Sequence, residues 1–484
     1  MIKTLSLLPG SFWVSVLLLL SGGAWAATRI RTGIGLPMIA VLGTVGAWYV
    51  GDVLYNDYQV IYAANFTSAA IENAWWQVAC FVMVFLILAP IMHRWMNGNL
   101  RQRTSQIYQM VQTGAGDSKF QSNLNFFFGG ILLVWLVLVA IAWIRLGDQI
   151  PYYFFPYLGE GLVEPWNRGR IGQGYDSLLS IMGHLQLFVA AMFGVVAALA
   201  RNSAVRLLAL IGVGLTWPNY IFARARNTLL AAVVPGILTW VFIRFRSGWK
   251  LKLLILGVSF MLLNAWLAFI IAHRSDSSIV AAARNSDIKQ EGDQQAHHEG
   301  LNMFEELCWI NTLIASGEYR LNWGQRYFAE IVNPIPRTLW PGKPMIGIDY
   351  AIARGQSFKD ADDSQAGVGA TLSTGMIGQG VVNFGYVLGP AFAAFLMSIW
   401  TAIMSRIDLQ GQRPGRLPLY TLGLIMTFNL GRDITLITLY TFVFGAMAIW
   451  FAERYFLPAA PALNSHNPNG NLRSQNGRST PRKN

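Results

Sequence analysis

Apolar runs of about 20 residues recur along this chain of 484 residues, and they constrain its fold more than any other feature. A run of that length matches the roughly 30 Å of hydrocarbon that a helix must cross in a bilayer. Hydrophobic residues make up 54% of the chain and charged residues 12%, well below the roughly 25% charged residues usual in a soluble domain. The sequence therefore predicts an all-α polytopic integral membrane protein.

We predict about eleven transmembrane helices. Their spans run near 5–27, 33–51, 73–91, 124–146, 177–200, 205–222, 227–243, 251–272, 375–404, 417–431 and 434–452. The first span holds Lys3, an apolar core and the sequence AWA, so it is either a cleaved signal peptide or a retained span. We expect retention, because integral proteins of this kind usually keep the first span.

The charges of the loops predict the topology. Segments 92–123, 243–252 and 405–416 and the tail are basic, whereas segment 52–72 is acidic and has no Lys or Arg. The positive-inside rule places the basic set in the cytoplasm, and it explains the net charge of +12 better than nucleic-acid binding does. The predicted parts are N-terminal membrane helices (1–272), a large outer loop (273–374), C-terminal membrane helices (375–456) and a disordered basic cytoplasmic tail (457–484).

Several arginines lie on segments that this topology places outside, against the usual bias. They are Arg168, Arg170, Arg224, Arg226, Arg274 and Arg432. A charge near membrane depth is costly and often functional, although an arginine at a helix end can also extend its charge to water. Because the planar guanidinium donates paired hydrogen bonds to phosphate, we hypothesise that these arginines gather at one face and bind a lipid-linked phosphate or diphosphate.

The outer loop carries two further patterns. The stretch EGLNMFEELCWINTLIAS predicts an amphipathic helix that lies on the membrane or caps a cavity, and simple packing within the loop is an equal alternative. The stretch NPIPRTLWPGKP is stiffened by four prolines and presents Arg337, Trp340 and Lys343. An aromatic ring can stack on a sugar, and the two cations suit an anionic sugar or phosphate.

Other chemistry is weakly indicated. The pair His297–His298 lacks zinc-ligand spacing, and the distant Cys80 and Cys308 indicate neither a disulfide framework nor a metal site, so no metal or cofactor is expected. Asp433, next to Arg432 between the last two spans, forms either a structural ion pair or part of a substrate site.

The stretch NPIPRTLWPGKP, followed by GATLSTGMIGQGVVNFGYVLGP, resembles the Wzy-type polymerases of oligosaccharide repeat units in bacterial O-antigens and exopolysaccharides. The segments RARN and LGRDITL are similar to arginine-bearing segments of that family, and the resemblance covers the pattern of spans and mainly residues 218–440. One position departs from the family, because Gln379 stands where members often carry a glutamate.

The resemblance implies a GT-C-like glycosyltransferase of the bacterial inner membrane, with its large loop in the periplasm. It would transfer a growing glycan from polyprenyl diphosphate onto a carrier-linked repeat unit without a metal. The chain-length regulator and the flippase of the same pathway are the implied partners.

The resemblance also suggests roles for the candidate residues. Arg224 and Arg226, with Arg168 and Arg170, would bind the donor and acceptor diphosphates; Arg337 and Lys343 would shape the loop or touch glycan. Candidate bases are Asp433 and His273. The alternatives are an O-antigen ligase, a transporter or flippase for lipid-linked sugars, and a structural partner in an export complex.

Overall fold

The structure, a computed structural model, describes residues 8–114, 116, 118–159, 163–166, 176–223, 226–245, 248–272, 302–332, 335, 339–344, 348–355, 372–410, 413 and 415–455. Every regular element in these ranges is helical, which confirms the predicted all-α class.

The main helices are labelled in chain order. They are α1 (Gly10–Thr28), α2 (Gly35–Val45), α3 (Ser68–Asn97), α4 (Gln106–Thr113), α5 (Ser118–Leu146), α6 (Asp176–Leu199), α7 (Ser203–Ile221), α8 (Arg226–Thr239), α9 (Trp249–Ala272), α10 (Met303–Ala315), α11 (Gln325–Val332), α12 (Ile348–Ala353), α13 (Met376–Leu409), α14 (Arg416–Leu430) and α15 (Leu436–Tyr455). Short α or 3₁₀ turns cover Ile30–Thr32, Asp52–Tyr55, Gly147–Gln149, Ile150–Phe154 and Pro156–Leu158, and π-helical turns cover Gly46–Gly51, Tyr58–Ala63 and Trp240–Arg244.

Eight helical segments in the described part of the chain are long and apolar enough to cross a membrane, so this is a multi-pass membrane protein. They are Gly10–Thr28, Gly35–Tyr55, Ser68–Asn97, Ser118–Phe154, Ile181–Leu199, Ser203–Ile221, Asn227–Arg244 and Met376–Leu409. Their outer surfaces expose large apolar side chains such as Leu133 (64% exposed) and Ile144 (85% exposed), as expected for contact with lipid. The other predicted spans coincide with α9, α14 and α15, and their crossing of the membrane stays a prediction.

Helices α3 and α13 form the centre of the bundle and run side by side in the same direction. The Sγ atom of Cys80 lies 3.9 Å from the carbonyl oxygen of Val387. Farther along both helices, the Asn97 amide donates to the carbonyl oxygen of Ala402 at 3.0 Å. The buried ring of Trp75 on α3 stacks on Phe304 of α10, so the outer loop is packed onto this central pair.

The described loops collect at two ends of the bundle. At one end, the N–H of Ser105 donates to the carbonyl of Arg31 (2.9 Å), and the N–H of Ile107 donates to the Asp408 carboxylate (3.0 Å). At the other end, the Asp52 carboxylate accepts from the N–H of Phe304 at 3.0 Å. We call the first the basic end (residues 29–34, 98–106, 199–202, 405–410, 413, 415 and 416) and the second the loop end (residues 52–67, 302–332, 335, 339–344, 348–355, 372–375 and 431–435).

Helix α13 folds back on itself at Gly385, where the backbone has φ 78° and ψ −170°. On a straight helix, Gly380 and Gly389 would be about 13.5 Å apart. Instead they touch, because a Cβ atom added to Gly380 would overlap the carbonyl of Gly389. Residues 376–384 therefore form a short limb that runs against the start of the long limb, residues 386–409.

This fold-back frees backbone carbonyls that a continuous helix would use. The N–H groups of Asn322 and Trp323 donate to the carbonyls of Val382 and Asn383, at 3.0 and 2.9 Å. The outer loop thus satisfies groups that would be costly to leave unpaired inside a membrane protein.

The amphipathic helix predicted in the outer loop is present as α10, but it does not lie on the membrane surface. Its side chains Phe304, Leu307 and Ile310 are fully buried against the bundle. The amide of Asn311 exchanges two hydrogen bonds with the amide of Gln77 on α3, at 2.8 and 3.2 Å. A reciprocal buried amide pair fixes this helix between α3 and the short limb, so α10 is part of the core.

The contact between Gly380 and Gly389 can be tested with matched alanine variants. Gly380→Ala should lower the thermal unfolding midpoint in detergent by about 1–3 °C, since overpacking typically costs about 1–3 kcal/mol and the chain is long. The control Gly129→Ala on α5 adds its methyl group to open space and should leave the midpoint unchanged or slightly raised. Equal midpoints for the two variants would contradict the fold-back.

Candidate functional site

Two loop-end segments meet where α13 begins, and together they form the floor of the candidate site. The N–H of Met376 donates to the carbonyl of Gly431 at 3.0 Å. Both the N–H and the hydroxyl of Thr374 donate to Oδ1 of Asp433, at 3.1 and 2.9 Å. Arg432 is exposed, and its Nε donates to the hydroxyl of Ser373 at 2.6 Å. The floor thus holds the Asp433 carboxylate in a fixed position.

Two buried side chains fix this floor from below. Gln379 on the short limb accepts the N–H of Ile434 through Oε1 (2.7 Å) and donates from Nε2 to the Ile434 carbonyl (3.3 Å). The hydroxyl of Tyr49, on the π-helical turn after α2, accepts the N–H of Ile377 at 3.0 Å. These bonds satisfy backbone groups at the start of the limb and in the turn after α14.

Helix α11 covers the floor with one polar face. Nη2 of Arg326 lies 3.9 Å from Oδ1 of Asp433 and donates to the carbonyl of Leu372 at 3.3 Å. Glu330 is four residues farther on, so it shares a helix face with Arg326. Tyr327 packs its ring on Phe384 of the short limb, with the ring centroids 6.3 Å apart. Both charged side chains are buried, Arg326 being 5% exposed and Glu330 3% exposed.

Much of the hydrogen-bonding capacity of α11 is unused. Within the described residues, Nε and Nη1 of Arg326, both carboxylate oxygens of Glu330 and the hydroxyl of Tyr327 are buried without a hydrogen-bond partner. Buried charged and polar groups normally find partners, and leaving them unpaired costs several kcal/mol. So many unpartnered polar atoms on one short helix indicate a site built for a polar ligand.

The pKa of the Glu330 carboxyl group lies near neutral pH. The pKa of Glu330 is raised to about 7, first by burial and then by the neighbouring Asp433 carboxylate, while the Arg326 guanidinium acts in the opposite direction. Desolvation combined with a charge partner is typical of groups that handle protons in functional sites.

The site is recessed below the loop-end surface. Two distances from the basic end show this. Gly431 follows α14, which has 15 residues and rises about 22 Å from that end. The fold-back at Gly385 lies about 36 Å from Leu409, where α13 ends at the same basic end. The short limb gives a similar offset. Gly389 lies about 6 Å deeper in the bundle than the fold-back at Gly385, and it touches Gly380 of the short limb. Met376 lies about 6 Å deeper again, at the start of that limb. The floor is therefore about 12–14 Å deeper in the bundle than the fold-back.

The structure brings together only some of the residues predicted from sequence. Asp433 and Arg432 are both in the floor, but they do not form the ion pair considered above, because Asp433 pairs with Arg326 instead. In the described part of the Pro-rich loop, Trp340 packs edge-on against Phe328 of α11, with the ring centroids 6.3 Å apart. Lys343 donates to the carbonyl of Ile335 at 2.9 Å, so it shapes this loop.

The remaining predicted site residues lie outside what the structure describes. Arg226 begins α8, but its side chain is not described. Outside the described residues are Arg168, Arg170, Arg224, His273, Arg274 and Arg337. The meeting of these arginines in one pocket stays a prediction.

Sequence reasoning missed the residues of α11. The stretch WGQRYFAEIVNP places Arg326 and Glu330 four positions apart, with the apolar Phe328 between them on the opposite side of the helix. Arg326 also lies on the large outer loop, so it breaks the positive-inside bias in the same way as the arginines that were singled out. Both signals were present in the sequence.

The two-way hydrogen bonding of Gln379 gives a prediction. In Gln379→Glu the donor to the Ile434 carbonyl is replaced by a carboxylate oxygen, so the free energy of unfolding should fall by about 1–3 kcal/mol. The matched change Gln109→Glu, on the exposed side of α4, should have little effect. Thermal unfolding in detergent measures both, and an unchanged midpoint for Gln379→Glu would show that the floor does not need this amide.

Comparisons of the chain with protein-family models, with curated proteins and with solved structures find no match. The function of the site is therefore inferred from its own geometry and chemistry.

Proposed function

We propose that this protein is a membrane glycosyltransferase that polymerises oligosaccharide repeat units carried on polyprenyl diphosphate, and that transfer takes place over the cluster of Arg326, Glu330 and Asp433. The observation that carries the proposal is the buried guanidinium of Arg326, which lies beside two carboxyl groups and has two nitrogen atoms without a hydrogen-bond partner among the described residues. The cluster is buried beneath α11 in a multi-pass helical bundle.

The depth of the cluster within the helical bundle suits a lipid-linked diphosphate. The isoprenoid chain of such a substrate stays in the hydrocarbon, so its diphosphate lies close to the membrane surface. A guanidinium offers phosphate a rigid set of charged donors, and the Nε and Nη1 atoms of Arg326 are unpartnered among the described residues. Donors fixed in place stabilise the negative charge that develops on a departing diphosphate.

The backbone position of Arg226 supports a contribution from the arginines predicted earlier. Gly194 of α6 touches Gly236 of α8, and it lies about 7 Å from the end of α6 at the basic end. Arg226 begins α8 about 15 Å before Gly236, so it lies about 22 Å from the basic end. That is the depth estimated for Gly431, next to the cluster. The helix α8 also packs against α14, whose end leads into the floor.

The proposal includes the finer architecture expected from the sequence. The described helices α9, α14 and α15 would complete about eleven crossings of the bacterial inner membrane in a GT-C-like arrangement. The positive-inside rule then places the basic end in the cytoplasm and the loop end in the periplasm. Transfer at the periplasmic face would require carrier-linked repeat units that a flippase delivers, and a chain-length regulator would set the polymer size.

Substituting Arg326 tests the site in a strain that lacks the chromosomal copy. Arg326→Ala should abolish long glycan chains while single carrier-linked repeat units and protein level persist, because the diphosphate loses its buried cation. Arg326→Lys keeps the charge without the planar fork and should retain only part of the activity. The exposed Arg320→Ala, on the same loop, is the matched control and should give normal chains. Gel separation of the glycans and immunoblotting measure the outcomes.

The deletion strain itself tests the class of reaction. A polymerase predicts lipid A core capped with one repeat unit, whereas a ligase would leave unattached long chains and a flippase would leave repeat units on the cytoplasmic side. Arg224→Ala and Arg226→Ala should also abolish long chains. Normal chain length in Arg326→Ala at normal protein level would overturn the proposed site.

A further inference from the structure

We propose that Glu330 accepts the proton from the attacking sugar hydroxyl, and that Asp433 instead positions Arg326. This inference rests on the proposed function and deepens it by naming the catalytic base. It is carried by the different surroundings of the two carboxyl groups in one buried cluster.

The Asp433 carboxylate is already engaged. Its Oδ1 atom accepts two hydrogen bonds from Thr374, at 3.1 and 2.9 Å, and lies 3.9 Å from Nη2 of Arg326. The Oδ1 atom of Asp433 is therefore occupied as a hydrogen-bond acceptor. Its position suits orientation of the guanidinium.

The Glu330 carboxyl is in the opposite situation. Neither of its oxygens has a hydrogen-bond partner among the described residues, although the side chain is buried. It lies one helical turn from Arg326, a distance of about 6 Å along the helix face. A sugar whose diphosphate binds Arg326 would therefore place its anomeric carbon, and the hydroxyl that attacks it, within reach of Glu330.

The helix that carries Glu330 is held against the short limb of α13. Tyr327 stacks on Phe384, and Trp323, just before the helix, is bonded to the Asn383 carbonyl at 2.9 Å. These contacts aim Arg326 and Glu330 at the floor together. A base and an anion-binding group fixed on one rigid element keep their separation constant, which general acid–base catalysis requires.

The reaction step balances as a displacement at the anomeric carbon of the donor glycan. The oxygen of the acceptor hydroxyl forms the new bond to this carbon, and its proton moves to the Glu330 carboxylate. The bond between the anomeric carbon and the diphosphate oxygen breaks, and its electron pair leaves with polyprenyl diphosphate. Arg326 faces the negative charge gained by that oxygen. Glu330 then releases its proton to water, which restores the site.

The charges that face Glu330 set its pH dependence. The described groups are Arg326 on its own helix and Asp433 on the turn after α14, with the hydroxyls of Tyr327 and Tyr49 beside Asp433. Because the pKa of Glu330 is about 7, the reactive carboxylate accumulates as pH rises through 7. The folded-state pKa exceeds the unfolded value, so the folded protein binds this proton more tightly and loses stability as pH rises from about 4.5 to about 7. Above that window Glu330 is charged in both states, and the loss is complete.

The test measures transfer by the full-length protein in proteoliposomes, with carrier-linked repeat units isolated from the deletion strain. Glu330→Gln should lower kcat by about 10²- to 10⁴-fold with little change in KM, because it keeps the shape of the side chain and removes the base. Glu330→Asp should recover part of the rate. The exposed Glu318→Gln, on the same loop, is the matched control and should behave as wild type.

Two readouts separate a base from a structural residue. The rate of the wild type should rise with pH to a plateau above about 7, and the residual rate of Glu330→Gln should not show this rise. At pH 8 Glu330→Gln should also unfold at a higher temperature than wild type, because it lacks the buried charge.

The outcomes distinguish this inference from the proposed function. Wild-type kcat and an unchanged pH profile in Glu330→Gln, together with an inactive Arg326→Ala, would overturn the role of Glu330 and leave the glycosyltransferase standing. If the wild-type protein restored chain synthesis in cells but transferred no glycan in proteoliposomes, both the role of Glu330 and the proposed function would be overturned.

Discussion

The fold-back of α13 at Gly385 is the constraint on which the rest of the structure depends. A membrane-spanning backbone must satisfy its own hydrogen bonds, and irregular backbone is tolerated at depth only when it is enclosed by protein or lines a cavity. Here Asn322 and Trp323 pair with the carbonyls that the fold-back releases. The same two residues lead directly into α11, so the interaction that permits the break also places the polar helix above the floor. The fold-back of α13 therefore accounts both for the depth of the floor and for the position of α11 above it.

The unpartnered charges of α11 are tolerated because their surroundings are fixed by many other bonds. Tyr49, Gln379 and Thr374 each bind a backbone or carboxylate group of the floor. Burying Arg326 and Glu330 without full pairing costs free energy that a rearrangement would otherwise recover. Strain and unsatisfied polar groups held by a rigid scaffold are the usual condition of a site that is organised before its ligand arrives.

The all-helical, multi-pass architecture could be predicted from the sequence, because lipid imposes a length on apolar runs. Residues 375–404 nevertheless read as one uninterrupted span, since an apolar run does not reveal that Gly380 and Gly389 touch. Asp433 was a candidate because it lies next to a charge between two spans. Its actual partner, Arg326, lies more than a hundred residues earlier in the chain, and no local pattern reports such a contact. The burial of α10 was missed for the same reason: its second apolar face is covered by α3 and α13.

The hydrogen bonds of Gln379 limit where a proton acceptor could lie in this site. The side-chain amide of Gln379 serves as donor and acceptor to Ile434 at once, and a carboxylate could not serve as the donor. Because Gln379 is engaged with Ile434, the proton acceptor under the proposed function comes from another element, and Glu330 faces Asp433 from α11. Its oxygens are enclosed, so under the proposed function α11 must move away from the limb to admit a sugar and return over it. Closure would then exclude water at the moment when Arg326 and Glu330 act, and electrostatic interactions strengthen as water leaves. Helix α11 would then both control access to the site and carry Arg326 and Glu330.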